Sequence, residues 1–209
     1  MSALRVKVCG VTTAEQAVAC VDLGADAIGV NFVSSSPRRV DEERARAIVE
    51  AVGARALVVA VVADMSLDAL RGLVARTGVG CLQLCGDEPA EQLAALLPHA
   101  FKSVRVATAS DVAAAEAMPG SYLLVDAKVP GSLGGTGHTF DWELVVGLAR
   151  RRKLVLAGGL TPDNVAAAVT RVRPWCVDVA SGVESAPGVK DLERVRAFLD
   201  AARGGLTPT

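Results

Sequence analysis

The chain is short of histidine, of cysteine pairs, of excess charge and of long apolar runs, and each shortage closes a class of function. His99 and His138 are its only histidines, and its five cysteines (Cys9, Cys20, Cys81, Cys85 and Cys176) form no CxxC pair. A Cys/His zinc site is therefore not expected, and no metal is predicted. Twenty-two basic residues against 23 acidic ones leave a net charge of −1, which gives nucleic acid or an anionic lipid surface nothing to grip through bulk charge. The longest apolar run is the eight residues 56–63, between Arg55 and Asp64, far below the ~18 of a membrane span. The N-terminal stretch passes from Arg5 and Lys7 to Cys9-Gly10 and Glu15 without an apolar core. No export signal is expected from it, and the cysteines are predicted to be free thiols in a reducing, cytoplasmic setting.

What is present is a regular alternation. The 209 residues, 51% hydrophobic, suffice for one domain with a sizeable core, and no linker or low-complexity tract divides them. Short runs rich in Val, Leu and Ile read as strands buried on both faces: 5–9, 27–32, 56–62, 81–84, 101–106, 122–126, 153–157 and 176–180. Segments of helical spacing lie between them. Thr13-x-x-Gln16 predicts a capping box, Ser66, Ser110 and Asp141 predict N-caps, and Thr161-Pro162 predicts a helix start. Residues 41–51 and 191–203 read as outer helices, charged on one side and apolar on the other. A doubly wound sheet uses five or six such units. Eight point to an α/β chain folded as a single-domain (β/α)8 TIM barrel over residues 1–203, with 204–209 as a frayed tail.

In such a barrel the chemistry gathers where strands end. Gly158-Gly159 after strand seven and Ser181-Gly182 after strand eight are glycine turns whose amides suit a phosphate, although glycine also ends strands for purely local reasons. Asp126 closes strand six after four apolar residues; a general acid and a loop-capping carboxylate both fit that position. Cys9 closes strand one, either as a thiolate base or as a small buried side chain. The Gly-rich stretch 129–141, which includes Gly134 and Gly135, reads as a long binding loop or as a plain connection. Ser36-Pro37-Arg38-Arg39 places a basic pair after strand two, where one guanidinium could grip a carboxylate bidentately.

Taken together these motifs resemble one family. Lys7-Val8-Cys9-Gly10-Val11-Thr12 resembles its opening KxCG(I/L)T, Ser36-Pro37-Arg38 its SPR, Gln83-Leu84-Cys85-Gly86-Asp87-Glu88 its QLHG(D/N)E and Leu124-Val125-Asp126 its LLD. Gly134-Gly135-Thr136-Gly137 leading to Phe140-Asp141-Trp142 is similar to GGTGxxFDW. Ala157-Gly158-Gly159-Leu160 with Asn164, then Asp178-Val179-Ala180-Ser181-Gly182-Val183-Glu184, are similar to AGGLxxxN and DV(A/S)SGVE. The family is phosphoribosylanthranilate isomerase of tryptophan biosynthesis, and the motifs run in order from about Arg5 to Arg203. The resemblance implies an Amadori rearrangement of a phosphorylated small molecule, without cofactor. It implies Asp126 as general acid, Cys9 as general base, Arg38 on the anthranilate carboxylate, and the Gly158-Gly159 and Ser181-Gly182 amides on the phosphate. Lys7, Cys85, Gly134 and Gly135 would line the site. Cys85 departs from the pattern, standing where the family usually has His.

Two rivals are weighed against this. A related sugar-phosphate isomerase acting on the histidine-pathway aminoaldose would want a second phosphate loop in the first half of the chain, where Asp87-Glu88 would repel one. A barrel kept only as a sensor or assembly subunit would be expected to have lost the acid or the base. A monomer is expected, since no long apolar patch can be read from the outer helices.

Overall fold

A computed structural model of the chain describes residues 4–127 and 141–205. The alternation resolves into β1 Arg5–Cys9, α1 Ala14–Asp22, β2 Ala27–Asn31, α2 Glu42–Val52, β3 Leu57–Val62, α3 Leu67–Thr77, β4 Cys81–Leu84 and α4 Ala90–Ala94. The second half continues with β5 Ala100–Val106, α5 Ala109–Glu116, β6 Tyr122–Ala127, α6 Glu143–Arg151, β7 Lys153–Leu156, α7 Val165–Val172 and β8 Cys176–Val179. Each strand pairs in parallel with the next, and β8 pairs back onto β1 with Lys7 opposite Asp178, which closes an eight-stranded barrel. The chain is thus a (β/α)8 barrel, as its pattern predicts. A two-stranded antiparallel hairpin, β9 Glu184–Ala186 with β10 Val189–Lys190, follows the last barrel strand and leads into α8 Leu192–Gly204.

Strand period two sorts side chains to the two faces of the wall. Val6, Val8, Ile28, Val30, Leu123 and Val125 pack outward among the helices in one continuous core. The alternate positions turn inward. Val59, Phe101, Leu124, Val155 and Cys176 fill the lower barrel, and Cys9, Val61 and Cys85 pack together near its mouth. Continuous Val/Leu runs are what a wall buried on both sides requires.

Helix starts follow the expected chemistry with three shifts. Ser66, Asp41 and Asp191 cap α3, α2 and α8 by accepting from backbone amides. Thr13 caps α1, but the box is only half made: Gln16 Oε1 accepts instead from the amide of Lys190, 3.1 Å away. Ser110 is not a cap. Thr108 takes that place, reciprocated by Asp111 in a complete box, because the carboxylate three residues on can return the bond. Thr161-Pro162 forms a turn rather than the first helical residues; the Thr161 carbonyl accepts from the amides of Asn164 and Val165, and α7 begins at Val165. Asp141 still serves α6, its Oδ1 accepting from Glu143 N at 3.0 Å. At the C-terminus α8 runs through Gly204, and Gly205 continues its hydrogen bonding to Ala201, so the helix passes the expected boundary.

Candidate active site

Parallel closure sends the C-terminal ends of all eight strands to one rim, and the predicted residues converge there. Cys9, Arg38, Cys85, Asp126, Gly158, Gly159 and Ser181 line a single cleft of about 320 Å³, in the range of small-molecule sites. Gly182 lies just beside it, lining an adjoining depression with Gly159 and Ser181. Lys7 sits beneath, buried inside the barrel. Gly134, Gly135 and residues 128–140 of the expected loop lie outside the described residues. No group of three or more His, Cys, Asp or Glu among the described residues is arranged to hold a metal ion.

Cys9 is seated by its neighbours on two strands. A Cβ on Gly29 would stand 2.6 Å from Cys9 Sγ, so β2 must carry glycine for the thiol to lie where it does. Burial pushes the Cys9 thiol above its ordinary value; Lys7 and Lys190 pull against that rise and Asp178 adds to it. Two residues back on the same strand, Lys7 Nζ donates to both carboxylate oxygens of Asp178 at 3.0 Å and to Gln83 Oε1 at 2.9 Å. Burial alone would lower the Lys7 ammonium, but Asp178 and Cys9 outweigh it and hold the group cationic. Gln83 Nε2 in turn donates to Cys85 Sγ at 3.3 Å. The Cys85 thiol is pushed up to about 12 by burial.

Of the two arginines after β2, Arg38 is half-buried in the cleft and Arg39 is exposed. Arg38 lies flat on Gly10, whose positive φ of 76° and missing Cβ make room: a Cβ there would stand 2.4 Å from Arg38 Cδ. The bidentate grip expected for substrate is instead made within the protein. Arg38 Nε and Nη2 donate to Glu184 at 2.9 and 2.7 Å, which leaves Nη1 as the donor outside that pair. Lys190 Nζ completes the group, donating to Glu184 at 2.7 Å and to the Ala180 carbonyl at 3.2 Å. Burial would raise the Glu184 carboxyl, but its bonds to Arg38 and Lys190 hold it below the usual carboxylate range. Two cations around one carboxylate leave this corner of the cleft positive.

The glycine turns line the same cleft. Gly158 and Gly159 adopt φ of 88° and 63°, conformations open to glycine at little cost. Ser181–Val183 forms a single 3-10 turn. Gly182 is forced by proximity: a Cβ there would stand 2.0 Å from the Leu160 carbonyl oxygen. Asn164 ties the first turn down, donating to Gly159 O and accepting from Thr161 N, both at 2.9 Å.

Sequence reasoning missed Asp178, Gln83, Glu184 and Lys190 as working parts of this site. Asp178 and Glu184 stand inside one of the family-like motifs, but nothing local pairs them with residues 171 and 146 positions away. A polar residue at an inward position of a buried strand (Lys7, Gln83, Asp178) was the available signal.

The fold and the cleft define a barrel enzyme that handles a small anionic molecule at the C-terminal rim. A family model described as N-(5'-phosphoribosyl)anthranilate (PRA) isomerase matches residues 6–201. The isomerase of Pseudomonas aeruginosa (strain LESB58) is 45% identical over 205 residues, covering 97% of each chain. A crystal structure of phosphoribosyl anthranilate isomerase from Thermotoga maritima superposes with a TM-score of 0.89 at 36% identity, over 96% of this chain and 99% of that one. A further structure of such an isomerase, in complex with reduced 1-(o-carboxyphenylamino)-1-deoxyribulose 5-phosphate, gives a TM-score of 0.86 at 33% identity, with the same coverage. The chain belongs to the N-(5'-phosphoribosyl)anthranilate isomerase family, and is an isomerase of tryptophan biosynthesis.

Proposed function

We propose that the chain converts N-(5-phosphoribosyl)anthranilate to 1-(2-carboxyphenylamino)-1-deoxyribulose 5-phosphate with Asp126 as general acid and Cys9 as general base. The observation that carries this reading is that both residues line one cleft together with the glycine turns and Arg38. Asp126 gives its proton to the furanose ring oxygen as the C1–O bond breaks, leaving a Schiff base with the anthranilate nitrogen. Cys9 removes the proton on C2, and the electron pair moves to form an enolamine. Tautomerisation to the C2 ketone then completes an isomerisation with no net change of electrons or atoms, so proton transfer alone suffices.

The phosphate is held by the Gly158-Gly159 and Ser181-Gly182 amides, a use of glycine turns typical of loops seven and eight in this fold. Arg38 meets the anthranilate carboxylate through Nη1, while Glu184 keeps the guanidinium flat on Gly10. Replacing Cys9 by Ser and following substrate loss by anthranilate fluorescence tests the assignment. Turnover should fall at least about 10²-fold, and wild-type turnover in the variant would remove Cys9 as base.

A cytoplasmic setting is supported by five free cysteines. Among the described residues no helix is long and apolar enough to cross a membrane. We also infer a monomer. The large apolar side chains exposed among the described residues are Leu57, Val189 and Leu192; Leu57 starts β3, at the far end of the barrel from the other two. Light scattering in solution decides the point.

A further inference from the structure

We propose that Lys7 is the positioning residue that readies the Cys9 sulfur for ionisation, with Asp178 and Gln83 locking its ammonium beneath the thiol. The inference rests on Cys9 being the base. A base buried among apolar side chains needs a reason to lose its proton, and Cys9 packs against Val61 and Cys85. Lys7 and Cys9 are successive inward positions of β1, so the ammonium lies directly below the sulfur. It cannot swing away. Asp178, opposite it across the β1–β8 ladder, holds it through both oxygens, and Gln83 holds it from β4. Asp178 and Gln83 engage its N–H donors, so what Lys7 offers the sulfur is a fixed positive charge, which favours the thiolate.

The other charged groups around the sulfur are engaged elsewhere or oppose the thiolate. Arg38, from the loop after β2, and Lys190, from β10, both favour the thiolate, but each is bound to Glu184. Asp178 on β8 opposes the thiolate. Burial pushes the Cys85 thiol after β4 up, Asp126 of β6 faces the same cleft, and the β2 and β3 residues that line it, Asn31 and Val61, carry no charge. Lys7 is the cation at the inward position next to the base on its own strand. Lys7 is buried and does not itself line the cleft, so it is a positioning residue and not one that touches substrate. Gln83 links it to position 85, and the residue there can therefore influence the base without touching it.

Cys9 ionisation is read directly as the pH dependence of alkylation by iodoacetamide at Cys9, located by mass spectrometry of the digested protein. In Lys7→Met the midpoint should rise by at least about one pH unit, a tenfold loss of reactivity below both midpoints. The same variant should lose at least about tenfold in kcat near neutrality with little change in KM, and the acid limb of its pH–rate profile should move up in step. Gln83→Leu removes the neutral member of the lock and leaves both charges of the Lys7–Asp178 pair, so its midpoint should rise too, by less than in Lys7→Met. Lys7→Arg keeps the charge and should return the midpoint towards wild type, which general loosening of the barrel would not produce. Midpoints unmoved in both Lys7→Met and Gln83→Leu would overturn the proposal. Should Lys7→Met not fold, Gln83→Leu decides: a rise supports Lys7, and an unchanged or lowered midpoint removes it. Unmoved midpoints beside an inactive Cys9→Ser would sink Lys7 and leave the base, whereas an active Cys9→Ser would sink the base itself.

Discussion

At the scale of single residues, the corner built from Arg38, Glu184 and Lys190 shows how a charged side chain is made into an instrument. An arginine on a loop would sample many rotamers; here Gly10 gives it a floor and Glu184 a fixed partner, so one guanidinium edge is presented at no further ordering cost. Arg38→Ala should raise KM at least about tenfold by deleting a charge-assisted contact of roughly 1.5–3 kcal/mol, and should also lower the melting temperature, because Glu184 is left buried with Lys190 alone. Arg39, exposed beside it, should change neither when replaced by Ala. Glu184→Gln separates the two effects: Arg38 remains, but loses the partner that fixes it. KM should rise there too, with kcat close to wild type. Steady-state kinetics with a thermal melt of each variant checks all three, and a rise in KM confined to Arg39→Ala would move the carboxylate site by one residue.

At the scale of elements, the two glycine turns are held together by contact rather than by sequence proximity. Gly182 lies against the Leu160 carbonyl so closely that a Cβ would stand 2.0 Å away. Gly182→Ala must therefore push the turns after β7 and β8 apart, at a cost of about 1–3 kcal/mol for overpacking, and KM should rise with it. Gly204 is the control: it ends α8 with nothing within 4 Å of its missing Cβ, and Gly204→Ala should hold or gain up to about 1 kcal/mol. Melts and KM values for the pair separate the close approach from a general intolerance of alanine. The elements themselves were legible because each strand is an apolar run bounded by turn residues, and the spacing of eight of them admits few folds. The caps were less so. Ser110 is as good a cap as Thr108 in isolation, and only the return bond from Asp111 selects between them. Cys9, Asp126 and the glycine turns were visible because strand ends are where this fold does chemistry. Asp178, Glu184 and Lys190 were not, since their partners come from other strands and loops and meet only once the barrel closes.

At the scale of the whole molecule, the five thiols set a limit on stability that belongs to no single site. All five are free and all are pushed up by burial: Cys20 and Cys81 to about 11, Cys85 to about 12, and Cys9 and Cys176 in the same direction. An unfolded thiol ionises near the ordinary 9.0, so between that pH and the folded values the native state keeps protons that the unfolded state has lost. Stability is then fully present below about pH 9 and falls as the pH rises. Each of the four thiols outside the reaction, Cys20, Cys81, Cys85 and Cys176, contributes about 1.4 kcal/mol per pH unit in this window, which together weighs against the ~5–15 kcal/mol that holds a domain folded. The barrel should therefore melt at progressively lower temperature as the pH rises above 9. Lys7, held cationic by Asp178 and Cys9, adds to the loss above its ordinary 10.5. Cys20 isolates the effect, since it is fully buried on α1 and does not line the cleft. Cys20→Ala should be slightly less stable than wild type at pH 7, from the lost sulfur, yet show a shallower alkaline slope, so that the two melting curves converge or cross as pH rises. Parallel curves from pH 7 to 10 would show that the buried thiols do not govern the alkaline limit.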